Sequence, residues 1–110
     1  MKVVTTGHTV IISDRESVIS DFVEKITNQY TGFKGYNLIL DISKHKELPL
    51  ETIKQFLPLA KEHKKAKKSL VVVTNAIDFN AVPKTITVVP TLLEAHDIIE
   101  MEEIERDLGF

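Results

Sequence analysis

The chain has 110 residues, 43% of them hydrophobic and 27% charged, and a net charge of −2. These values fit one compact domain spanning 1–110 with no general attraction to nucleic acid or anionic membranes. The lack of cysteine excludes disulfides, thiolate catalysis and Cys-based zinc sites. No apolar run is long enough to span a bilayer and Met1 to Thr6 do not resemble a signal peptide, so a cytoplasmic protein off the membrane is expected.

Lys2 to Thr6 and Thr9 to Ser13 are short β-rich runs separated by Gly7 and His8, a Gly-first loop suited to a type II′ hairpin. Val18, Phe22, Val23, Ile26 and Tyr30 recur at helical spacing and predict an amphipathic helix from Glu16 to about Gln29. Gly32 and Gly35 mark its exit. Tyr36 to Ile42 then reads as a buried parallel strand that delivers polar groups to its carboxyl end, where open α/β sheets place their sites.

A second helix is predicted from about Pro49 to Lys64, with Leu50, Ile53, Phe56, Leu57 and Ala60 toward the sheet. Pro58 falls inside this pattern and predicts a kink or an early end. Ser69 to Thr74 is a continuous β-branched run, expected to be a fully buried strand. After a loop or turn over Asn75 to Pro83, Thr85 to Val89 is a weaker strand candidate. Thr91 with Glu94 three positions on forms a capping box behind Pro90 and opens an acidic amphipathic helix at about 91–110. The order β-β-α-β-α-β-β-α predicts an α/β fold. Its mixed, mostly parallel sheet of about five strands carries an N-terminal β-hairpin, with helices packed on it.

With Leu38-Ile-Leu-Asp-Ile-Ser43 at its centre and Val88-Val-Pro-Thr-Leu-Leu-Glu-Ala95 before the last helix, this order resembles the STAS domain of anti-sigma factor antagonists. The resemblance covers the chain to about Glu100 and implies a regulatory protein-binding module rather than an enzyme. Antagonists of that family carry a phosphorylated serine in an Asp-Ser-Ser-Gly signature at the start of the second helix. Counting from Asp41 places that signature near Pro49, Leu50, Glu51 and Thr52, none of which matches it. Thr52 is the one hydroxyl in the turn and the only phosphorylation candidate, while Glu51 supplies a fixed negative charge. The ending from Asp97 to Phe110 resembles short bacterial proteins labelled ribonuclease Z, although the His-x-His-x-Asp-His nuclease motif is absent. That likeness makes an RNA-processing accessory protein the alternative reading.

No catalytic constellation stands out. Ser43 and His45 follow the central strand without a Gly-x-Ser-x-Gly elbow, and the glycines form no phosphate loop. His96 and Glu100 sit one turn apart on an acidic helix, which reads as a solvated face, so neither a metal nor a cofactor is expected. Lys61 to Lys68 is the strongest positive cluster; it reads mainly as a helix C-terminus, and nucleic-acid binding is not expected because no aromatic interleaves with it. The expected partner is a protein of unknown identity. Its candidate surface is Ser43, His45, Leu50, Glu51 and Thr52. Ile104, Leu108 and Phe110 form a second apolar group that either docks on the domain itself or meets another chain, including a second copy in a structural homodimer.

Overall fold

A computed structural model describes residues 1–14 and 18–109. Strands β1 (Lys2–Thr6) and β2 (Thr9–Ser13) form the antiparallel hairpin, with Lys2 opposite Ser13 and Thr6 opposite Thr9. Gly7 has φ +61° and His8 has no positive φ, the pattern of a type II′ turn. Strands β3 (Asn37–Asp41), β4 (Leu70–Val73) and β5 (Thr87–Val89) continue the sheet in parallel, in the order β1-β2-β3-β4-β5. Every parallel strand is thus added on the same side of its predecessor. Right-handed crossovers then place the connecting helices on one face, and only the segment after β5 is free to cover the other.

The structure follows that rule. On the first face, Val10, Leu38 and Leu70 lie in register, as do Ile12, Leu40 and Val72. They pack against Ile19, Phe22 and Ile26 of α1 (Ile19–Asn28) and against Ile53, Phe56 and Leu59. Phe22 and Phe56 meet edge to face, their centroids 6.3 Å apart. On the second face, Ile39, Val71, Val73 and Val89 are covered by Ala95 and Ile99 of α5 (Leu92–Asp107). The Thr91 hydroxyl accepts from the Glu94 N–H at 3.1 Å and caps this helix, a contact typically worth about 1 kcal/mol.

The first helix ends near Gln29 as expected and is followed by an extra turn, and the second is interrupted ahead of Pro58, where an early end is expected. The first segment pauses at Gln29 before a single turn, α2 (Tyr30–Phe33); its expected start at Glu16 lies outside the described residues. The second divides into α3 (Leu50–Lys54) and α4 (Leu57–Lys65), with the break just ahead of Pro58. Proline lacks an N–H and crowds the preceding turn, but it fits the first turn of a new helix. Pro49 is the N-cap of α3, in extended geometry, rather than part of its first turn.

Candidate functional site

The carboxyl ends of β2 and β3 lie side by side, with Ser13 in register with Asp41 and the Asp14 N–H donating to the Asp41 carbonyl at 3.0 Å. Each strand therefore delivers one carboxylate to the same end of the sheet. Asp41 faces outward and closes a local turn: its Oδ1 accepts from the Ser43 N–H at 3.0 Å and the Ser43 hydroxyl at 2.6 Å. Asp14 is only 1% exposed, and its Oδ2 lies 2.5 Å from His45 Nε2. The His45 N–H donates to the Ile42 carbonyl at 3.1 Å, so the chain turns back immediately after the strand and brings the imidazole over Asp14. A shallow hollow of about 200 Å³ opens beside these carboxylates, lined by Lys2, Ser13, Asp14, Asp41 and Lys44.

Ser43 and His45 share one turn, as their spacing suggested, but different carboxylates hold them. The hydroxyl is committed to Asp41 and the imidazole to Asp14, which is not the hydroxyl-to-base relay that nucleophilic catalysis requires. Beyond the turn, Leu48 enters the core and Pro49 restarts helical structure. Leu50 and Thr52 are half-buried, Glu51 is exposed in the first turn of α3, and the Thr52 N–H donates to the Pro49 carbonyl at 2.9 Å. Among the described residues, no group of three or more His, Asp and Glu side chains could hold a metal ion. Among the described residues, no helix is long and apolar enough to cross a membrane.

Asp14 belongs to no sequence motif; its only signal is its place one residue past a strand that pairs with the Asp41 strand. His63, flanked by lysines in the sequence, is fully buried on α4 against the approach to β3. Its Nε2 lies 2.7 Å from the Tyr36 carbonyl, which can only accept, so Nε2 carries the proton and Nδ1 accepts from the Tyr30 hydroxyl at 2.8 Å. Burial lowers the His63 pKa against the opposing pull of the Tyr36 carbonyl, with Lys68 and Arg106 adding repulsion. Burial, followed by the Glu62 charge, pushes the Tyr30 hydroxyl up. Both rings are thus held neutral.

Two members of the C-terminal apolar group, Ile104 and Leu108, are exposed. Ile104 is 53% exposed and Leu108 66% exposed, while Phe110 lies outside the described residues. Helical geometry explains this. Ala95, Ile99, Glu102 and Arg106 share the face toward the sheet, which places Leu93, Met101, Ile104 and Leu108 on the opposite one.

The fold has a solved counterpart. A serine-to-glutamate variant of RsbS from Moorella thermoacetica, a STAS-domain anti-sigma factor antagonist, is similar with a TM-score of 0.65. The likeness covers 91% of this chain and 94% of that one, at 13% sequence identity. No family model and no curated protein matches the sequence. The mixed five-stranded sheet with its packed helices is therefore a STAS-like α/β fold.

Proposed function

We propose that this protein is a small, non-enzymatic regulatory module that binds a protein partner through the turn after β3 and the start of α3. One observation carries this reading. At the end of the sheet where α/β proteins place their sites, the reactive side chains are tied to neighbouring carboxylates, while Glu51 projects from the first turn of α3. Such a surface offers shape and charge for recognition rather than a reacting group. Ser43, His45, Leu50, Glu51 and Thr52 form it, and the STAS-like fold supports a role in protein binding.

The switch in this reading is not phosphorylation. Glu51 already supplies negative charge in the first turn of α3, a position the helix dipole favours. Adding a phosphate at half-buried Thr52 would bring roughly two more negative charges beside it. Intact mass of the protein isolated from its native host is expected to show a single unmodified species across growth conditions. A phosphorylated fraction at Thr52 would overturn this part of the reading. The surface itself is tested by affinity capture from native lysate with wild type and Glu51→Lys. A partner held by wild type and lost by the variant supports it, and equal retention counts against it.

A further inference from the structure

At the amino end of the parallel strands, opposite the partner surface, a cleft of about 680 Å³ opens between the end of α4, the starts of β4 and β5, and the last turns of α5. Five cations line it: Lys64, Lys67 and Lys68 from the end of α4, Lys84 from the loop before β5, and Arg106 from α5. Glu102 and Glu105 are its two carboxylates, leaving a surplus of three positive charges from five against two. The lysine cluster is therefore one wall of a concave cationic site, which segments far apart in sequence complete.

The floor is preorganised. Ser69 is 2% exposed; its hydroxyl donates to Glu102 Oε1 at 2.5 Å and accepts from Arg106 Nη1 at 3.1 Å. Arg106 Nη2 donates to Asn37 Oδ1 at 3.3 Å, and the same oxygen accepts from the Ser69 N–H at 3.0 Å. These bonds fix the guanidinium at the cleft, and the Glu102 carboxylate, held by Ser69, also lies 4.0 Å from Arg106 Nη1. Behind burial, the charges of Lys68 and Arg106 also help to depress the pKa of His63, consistent with a positive field at this end.

Lys67 adds an independent observation. Its φ is +61°, the one positive φ of a non-glycine residue among those described. The Lys67 N–H donates to the Lys64 carbonyl at 2.9 Å and the Lys68 N–H to the His63 carbonyl at 3.2 Å, which is the glycine-type closure of a helix C-terminus. Glycine adopts this conformation without steric cost and lysine does not. A cation stands where stability favours glycine, and it lines the cleft.

We infer that this cleft binds a compact oligophosphate, held by Lys64, Lys67, Lys68, Lys84 and Arg106. The cations lie on walls from three segments and suit several linked phosphates better than one. None of the described lining residues is aromatic, so nothing there stacks a nucleobase.

Calorimetric titration of the full chain with sodium tripolyphosphate at near-physiological ionic strength tests this. Wild type is expected to bind saturably at one site, and Lys67→Gly and Lys84→Gln each to bind roughly threefold to fivefold more weakly. Lys67→Gly is also expected to raise the Tm of the unliganded protein by a few degrees, which separates lost binding from lost folding. No saturable binding by wild type, or unchanged affinity in Lys67→Gly, would overturn the inference. Binding of single-stranded RNA without binding of tripolyphosphate would overturn it in favour of a nucleic-acid surface. The partner surface lies at the other end of the sheet and is untouched by either result.

Discussion

The two ends of the parallel sheet handle polar chemistry in opposite ways. At the carboxyl end, Asp14 and Asp41 engage the nearest imidazole and hydroxyl, and the exposed Glu51 gives the start of α3 its charge. At the amino end, like charges from α4, α5 and the loop before β5 converge on one cleft, with buried His63 held neutral behind it. At the carboxyl end, the proposed recognition rests on shape and on the Glu51 charge. The amino end concentrates positive potential and suits a small multivalent anion. The two proposed binding chemistries thus lie a strand's length apart.

The largest expected effect of breaking this contrast lies at the amino end. His63→Ala removes a fully buried ring and leaves the Tyr36 carbonyl and Tyr30 hydroxyl without their partner, at a cost of about 3 kcal/mol by denaturant unfolding. A pH series sharpens the same point. The folded chain holds the His63 pKa below its ordinary value of 6.5, so as pH falls below that value the unfolded chain takes up a proton first. Stability from this group is complete above about pH 6.5 and declines below it, by at most about 1.4 kcal/mol per pH unit. His63→Gln should remove that component of the slope, and an unchanged slope would count against a buried neutral His63.

At the carboxyl end, Asp14→Ala is expected to cost less, about 2 kcal/mol, because water can reach the His45 ring that loses its partner. A loss below about 0.5 kcal/mol, the range of ordinary surface substitutions, would mean that Asp14 does not order this turn. The smallest effect on folding belongs to Glu51→Lys. Its side chain is solvent-exposed, so stability should change by no more than about 0.5 kcal/mol even if partner capture is abolished.

Local patterns revealed most of the fold. The β-rich run of β2 forms the hairpin, the apolar run of β3 and the β-branched run of β4 are buried strands, Pro58 marks the helix break, and Thr91 caps α5. What escaped the reading is non-local. His63 belonged to an apolar series with Phe56 and Ala60 at helical spacing, yet its lysine neighbours suggested solvent. The Asn37–Ser69–Arg106 contacts join residues up to 69 positions apart, a distance no local motif spans. The two-sided character of α5 was likewise hidden, because an apolar stripe does not say which side meets the sheet. At the candidate site, Ser43 and His45 were legible as neighbours, but the carboxylates that hold them become apparent only once β2 lies beside β3.

Paired affinity capture from native lysate decides whether the start of α3 is a protein-binding surface. Wild type and Glu51→Lys are compared at matched folding, established by coincident thermal unfolding. A specific protein retained by wild type and lost from the variant is expected. The same protein retained equally by both would contradict a binding surface there.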